Sequence, residues 1–510
     1  MSQTAHASRP ESISKGTIEA MEEKVTTEAT DIAYPVEQEL STPPTLTAEE
    51  ERLLWRKIDL RLLPILIIMY LVASIDRSNI GNAKLQGLLT QLNLTGDQYN
   101  VALTMYFVVR HPSAPETLSN MSIAPVLHFV YRAIKLAWGI IATLMGLVKT
   151  YPQLIGVRVC LGIAEAGLPP GVFYYITMWY PRHMVQYRVG LFWGGATFAG
   201  AFSGLLAFAI SFMSGTAGLL GWSWIFIIEG LITIVVAFAA FFILVDFPDT
   251  AMFLTPEERA YVVHRKKYDN SSVGEEEHFE MRQLWETLFN WKVILCCLIN
   301  ASVITPVYGI TLFLPSIING FGFNTVISQL LSVPPYIVGT AAVVAWSKWS
   351  DIHQKRSPSI LAGLLFCLVG FAINAADTPI GVRYFGTFLV VTGGYAGFPG
   401  NVSWMGNNTV GHYRRAIAIG MQVMFANAGG AIASNIYRVQ DAPHYLLGHA
   451  VELGFVGMGL TLLPIMVFTY MRANAQRDAA QCDMEARGVR YSTEELRKMG
   501  NQAPDFRFTL

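Results

Sequence analysis

The sequence predicts an all-α polytopic membrane protein made of two six-helix halves. Three observations predict it: many long apolar runs, a sparse charge content, and one extended polar loop near the middle of the chain. A spanning helix needs about 20 mostly apolar residues. Candidate runs cover 62–83, 136–148, 152–178, 189–213, 222–245, 293–318, 329–346, 360–375, 382–404, 416–436 and 449–471. A shorter run, 99–109, reads as a twelfth that stops early.

Composition agrees. Of the 510 residues, 52% are hydrophobic and only 14% charged, where a soluble protein carries about 25% charge. Mean hydropathy is +0.38. A net charge of -1 leaves no footprint for nucleic acid. Cys160, Cys296, Cys297, Cys367 and Cys482 form no C-x-x-C pair, which argues against a disulfide frame or a zinc site. The histidines form no close ligand cluster either; His444 and His449 straddle a loop and a helix start. Neither a metal nor a cofactor is expected. No G-x-x-x-x-G-K-[ST] occurs, which disfavours an ATP-driven pump. A membrane enzyme is disfavoured because no nucleophile–base pair is evident. The first 50 residues lack an apolar signal region and are rich in Thr, Ser, Glu and Pro, so they read as a disordered tail.

The polar loop divides the chain. It gives an N-terminal tail (1–50), an N-terminal helical half (51–246), a central loop (247–291), a C-terminal half (292–471) and a C-terminal tail (472–510). Internal similarity supports two repeats. Arg188 precedes Phe198-Ala199 by ten residues, and Arg415 precedes Phe425-Ala426 by ten, an offset of 227. Lys and Arg set the orientation. Arg52, Arg56, Lys57 and Arg61 precede the first span; Arg182 and Arg188, Lys348, Lys355 and Arg356, and Arg414 and Arg415 fill alternate loops. The loops 214–221 and 319–328 carry neither. Both termini and the central loop are therefore expected in the cytoplasm, with a lipid bilayer around a monomer. On this topology the sequon at Asn93 faces outward and the one at Asn270 does not.

Four charges interrupt the N-terminal spans: Asp76 and Arg77 in the first, Arg158 and Glu165 in the fourth. A charge at mid-bilayer costs a few kcal/mol even on mild scales, so it must be paired and usually marks a pathway. At 1.5 Å per residue, Asp76 lies about 22 Å along its helix from Arg61, about 8 Å short of the outer edge of a core about 30 Å thick. Arg158, descending from Pro152, lies about 9 Å below the same edge. Glu165 follows two turns on, on the same face and deeper. Gly162 and Pro169 share that face and are expected to leave room beside the backbone. Two cations and two carboxylates cancel, and protonating one carboxylate leaves a positive site suited to an organic anion. Burial favours such protonation. A structural ion pair is the competing reading for these residues.

Several stretches carry a resemblance: RKIDLRLLP and DRSNIGNAK between Arg56 and Lys84, RVCLGIAE from Arg158, and DFPDTAMFLTPEER from Asp246. Asn407-Asn408 before Gly411 and Arg414-Arg415, NAGGAIASNIY from Asn427, and DAPHY from Asp441 extend it. The chain resembles fungal allantoate-permease-like transporters, in the anion:cation symporter branch of the major facilitator superfamily. The resemblance spans about 45–108 and 136–475. It implies the major facilitator fold and proton-coupled uptake of a small organic anion by alternating access. Small carboxylates, ureides and vitamins such as allantoate, nicotinate, pantothenate or biotin are the substrates it implies. By motif match, Asp76 and Glu165 become candidate proton carriers, and Arg77 and Arg158 candidate anion contacts. A non-transporting nutrient sensor, or an inactive variant on the same fold, is the alternative.

The pattern departs from the family in the second span. After Val109 come Arg110, His111, Pro112, Pro115, Glu116 and Pro125, then Arg132 and Lys135. Such residues do not readily continue a lipid-facing helix. Residues 109–135 are therefore expected to break it, as a gene-model error or a divergent segment would.

Weaker signals complete the reading. Gly190/Gly194 and Gly200/Gly204 form G-x-x-x-G pairs for close helix packing. Asp351, Lys355 and Arg356 resemble the superfamily's cytoplasmic gating loop. Tyr308, Thr311, Asn401, Trp404, Asn407 and Asn427 are polar groups on C-terminal helices. Tyr308 and Asn427 are the candidates for substrate contact; helix–helix hydrogen bonding explains each nearly as well.

Overall fold

The computed structural model describes residues 46–119, 136–165, 168–244, 248, 251–267, 281–442, 444–487, 503–504 and 506–510. The side chains of 110–119, 168–170 and a few single positions fall outside that description. Every regular element among the described residues is helical.

The first helix, α1 (Ala48–Ala83), opens on a capping box. Thr47 Oγ1 accepts the Glu50 N–H at 3.3 Å, and the Glu50 carboxylate accepts the Thr47 N–H at 2.9 Å. The helix runs on through a π-turn, 84–88, where Gly87 takes φ +94°, a value that glycine alone adopts without strain. Then follow α2 (Gln98–Ser119), α3 (Leu136–Met145), α4 (Tyr151–Glu165), α5 (Leu168–Trp179), α6 (Val185–Ser211) and α7 (Gly221–Ile243). The central loop holds two short helices, α8 (Pro256–Lys267) and α9 (Met281–Leu288). The second half comprises α10 (Trp291–Gly320), α11 (Thr325–Leu331), α12 (Val333–His353), α13 (Ser357–Ala375), α14 (Ile380–Asn408), α15 (His412–Ile436) and α16 (Leu446–Ala486). Asparagines 290 and 324 cap α10 and α11 through N–H bonds of 3.0 and 2.8 Å.

Eight stretches of the described helix are long and apolar enough to cross a membrane; α2 is not among them. Pro64, Pro306, Pro315, Pro399 and Pro464 sit inside long helices, as is tolerated where neighbouring helices can re-satisfy the freed backbone. Large apolar side chains such as Phe212, Val235, Phe242 and Phe468 point outward, as a lipid-facing surface requires.

Within the first half α1 packs on α6 and α7, and α2 on α4; within the second, α10 packs on α14, α15 and α16, and α13 on α14 and α16. The halves meet where α2 lies on α15 and α6 on α12 and α14. The internal repeat has physical content here. Asp59 pairs with Arg188 at 2.9 Å; moving 227 residues on gives Glu286 and Arg415, and Glu286 pairs with the neighbouring Arg414 at 2.8 Å. The contacts between halves repeat too. The Phe107 ring lies 2.5 Å from where a Cβ on Gly430 would stand, and the Tyr336 ring 2.6 Å from the same point on Gly200. The glycine pairs of α6 thus form a packing face: Gly200 meets α12, and Gly204 meets Gln329 of α11.

Three differences from the sequence reading stand out. The second helix continues past Val109 to Ser119, carrying Pro112 and Pro115 within it; residues 120–135 lie outside the described residues. The last helix runs to Ala486, beyond the apolar limit at Met471, because its final turns no longer need lipid. Residues 506–510 are packed: Phe508 stacks on Tyr470 at 4.4 Å, Asn474 bonds the Phe508 main chain at 2.9 Å in both directions, and Trp404 Nε1 donates to Thr509 O at 2.8 Å.

Candidate functional site

Arg77 of α1 meets Glu165 of α4 beside α2, which is drawn close to α4. Gly162 has no side chain, and the Tyr106 carbonyl lies 2.6 Å from where its Cβ would stand. The room expected beside Gly162 is therefore filled by α2. Pro169 has a side chain outside the description. This close approach puts the Tyr106 hydroxyl against Glu165, to which it donates a short hydrogen bond. Arg77 reaches down from α1 and pairs with Glu165 at 3.0 Å. Its guanidinium also lies over the Tyr70 ring, 5.2 Å from the centroid.

Tyr70, Arg77 and Tyr106 line a cavity between the halves. The N-terminal half supplies Tyr70, Ser74, Arg77, Tyr106, Arg158 and Trp193; the C-terminal half supplies Val307, Tyr308, Thr311, Leu312 and Tyr395. Arg158 is 2% exposed, and its Nε and Nη2 have no acceptor among the described residues. A buried guanidinium with open donors is a strong anion site, since its planar fork matches a carboxylate. Opposite it, Thr311 and Tyr395 share a hydrogen bond of 2.7 Å, and the Tyr308 ring meets Phe107 edge-on at 4.9 Å.

The predicted residues divide. Arg77, Arg158 and Tyr308 line the cavity, and Glu165 sits behind Arg77. Asp76 does not line it; it turns toward α7, where the Thr233 hydroxyl lies 3.3 Å from its carboxylate. Asn427 is buried, its amide has no partner among the described residues, and it is also not a lining residue. Asn401 bonds Asn300 at 3.1 Å between α14 and α10. Two of the residues that resemble a gating loop form a clamp between halves: Asp351 accepts the Tyr187 N–H at 2.7 Å and a short bond from Arg356, which also donates to Gln186 at 3.1 Å. Lys355 is exposed.

Sequence reasoning missed two buried acids. Glu229 in α7 faces Asp76, and Glu452 in α16 lies against Gly309 of α10. Each is the only charged residue of its apolar run, a signal available in the sequence. Two cations therefore meet three carboxylates, which corrects the balance of two and two.

Comparison with known proteins decides the family. The model of the Major Facilitator Superfamily matches residues 66–434. The chain belongs to the major facilitator superfamily. Among curated members, an MFS-type transporter of Penicillium expansum (cnsO) is 35% identical, with 91% of each chain covered. The high-affinity nicotinic acid transporter of Saccharomyces cerevisiae is 30% identical over 90% of this chain and 85% of its own. Solved structures share the fold. A bacterial homologue of the human lysosomal transporter Spinster, inward-facing and unoccupied, aligns with a TM-score of 0.59 at 15% identity over 80% of this chain and 97% of its own. The Escherichia coli xylose transporter XylE, in a partially occluded inward-open conformation, gives 0.58 at 13% identity over 80% and 96%. This superfamily member is thus an integral membrane transporter by kinship.

Proposed function

We propose that the protein is a proton-coupled importer of a small organic anion, working by alternating access from the plasma membrane with both termini cytoplasmic. One observation carries the reading: Arg158, buried in the cavity wall with open donors, lies beside an Arg77–Glu165 pair. An arriving carboxylate docks on Arg158 and competes for Arg77. That weakens the hold of Arg77 on Glu165, which then takes a proton. Anion and proton binding are so coupled, and the coupling is reciprocal. Tyr106, already bonded to Glu165, keeps a hydrogen-bond partner through either protonation state. The allantoate-permease-like motifs and the nicotinic acid transporter among the relatives both support a small carboxylate, with allantoate, nicotinate, pantothenate and biotin as probes.

The test uses purified protein in proteoliposomes with each labelled probe. Wild type should accumulate one of them when the pH gradient points inward, and not without it. Glu165→Gln, fixed in the neutral form, should retain counterflow exchange and lose uphill accumulation. Accumulation by this variant at the wild-type level sinks the assignment of Glu165.

A further inference from the structure

We propose that Glu229 and Asp76 form a second proton-holding site: an acid pair that shares one resident proton behind the anion-binding wall. This rests on the reading of the cavity as an anion and proton site. Glu229 sits nine residues into α7 and is 2% exposed, with both carboxylate oxygens lacking any hydrogen-bond partner among the described residues. Thr233 stands one turn further along the same face. Its hydroxyl lies 2.9 Å from the Glu229 carbonyl and 3.3 Å from Asp76 Oδ2, so this face of α7 is the one turned to α1. Against α7 pack α1, α6 and α3, the last seating Thr143 on Gly230. Among the described residues of these helices, Asp76 is the ionisable group that bears on Glu229.

Two ionised carboxylates cannot share a dry site without a counterion, and Glu229 has none. One proton between them removes the conflict. Asp76 in turn acts across α1 on Glu165 and Arg158, so the three acids form a series running inward from α7 to the cavity. The charge count then closes. Three carboxylates, two arginines and one resident proton sum to zero, and a monoanion entering with one further proton leaves the sum at zero. The resident proton thereby holds the site ready for the anion. Losing it adds a full negative charge beside Arg158.

Counterflow exchange of labelled nicotinate tests this without a proton gradient, in the Glu165→Gln background so that Glu165 does not titrate. Raising the pH should weaken nicotinate binding by about tenfold or more as the resident proton leaves. Adding Glu229→Gln should abolish that alkaline loss, because Asp76, even fully ionised, then balances one arginine only and the site stays positive at every pH. A residue with only a packing role would not remove a pH dependence. Glu452→Gln, a buried acid in the other half, should leave the alkaline loss in place. An identical loss with and without Glu229→Gln overturns the proposal, as does its absence from the Glu165→Gln background. Infrared difference spectra of wild type between neutral and alkaline pH give a readout that needs neither substrate nor a folded variant. A protonated-carboxyl band should disappear at alkaline pH, and its absence also overturns the acid pair. Failure of the transport reading is seen separately, as wild type that accumulates no probe.

Discussion

The two halves repeat each other in packing and differ in chemistry. Around the cavity the N-terminal half places Arg77, Arg158 and Glu165, whereas the C-terminal half offers Tyr308, Thr311 and Tyr395. The buried acid of the C-terminal half, Glu452, stands apart against Gly309 and Tyr437. The frame repeats, with Asp59–Arg188 matched by Glu286 and Arg414, the neighbour of the equivalent Arg415. The interior diverged: one half holds charge, the other presents shape and neutral hydrogen bonds. Coupling to protons should therefore belong to the N-terminal half, and choice of substrate largely to the C-terminal half.

The largest expected effect tests the charged half. Arg158→Ala should cost about 2–5 kcal/mol of anion binding, about 30-fold to a few thousand-fold in exchange affinity. Arg158→Lys should recover part of it, since charge returns without the fork. Affinity for every anion left within a few-fold by Arg158→Ala would break the comparison. Next come the contacts the halves share. Gly200→Ala and Gly430→Ala each press a methyl into a ring, which should cost about 1–3 kcal/mol of stability. Thermal melting in detergent should show similar losses for the two; a loss confined to one would mean that the repeat symmetry does not reach the packing.

A smaller effect tests the neutral half. Tyr308→Phe removes one hydroxyl, worth about 1 kcal/mol. It should change the ranking of nicotinate against pantothenate by several-fold and leave the pH dependence of uptake untouched. A changed pH profile would put Tyr308 among the proton machinery.

The smallest effect lies outside the membrane. Lys57 of α1 meets Glu258 of α8 at 2.7 Å. Burial alone would raise the Glu258 carboxyl; the bonds from Lys57 and Thr255 outweigh it and hold it below the ordinary range. A depressed carboxyl contributes stability above its unfolded value and loses it as pH falls through the folded value. Glu258→Gln should therefore flatten the acid side of the melting profile by less than about 1 kcal/mol.

Fold class was legible because spanning length and apolar composition are local properties of sequence. The pairing of Arg77 with Glu165 was half legible. Depth arithmetic placed Asp76, Arg77 and Arg158 together, but rotation about the helix axis decides that Arg77 faces the cavity and Asp76 faces α7. Periodicity within one helix does not say which neighbour covers which face. For that reason the sequence does not show that Asp76 meets Glu229, which stands alone in an apolar run. The room inferred at Gly162 failed for a related reason: an absent side chain allows either a ligand or another backbone, and here α2 takes the space.

The two kinds of contact between halves also differ mechanically. The clamp of Asp351 on the Tyr187 N–H and of Arg356 on Gln186 is a latch; parting the halves breaks charge-assisted bonds that are broken or whole. The Phe107 and Tyr336 rings rest instead on the bare backbones of Gly430 and Gly200. Sliding a ring over a glycine exchanges dispersion contacts of about 0.1–0.2 kcal/mol each and breaks nothing. These two places are bearings, low in friction and tolerant of small rotations, and a rocking motion would turn on them.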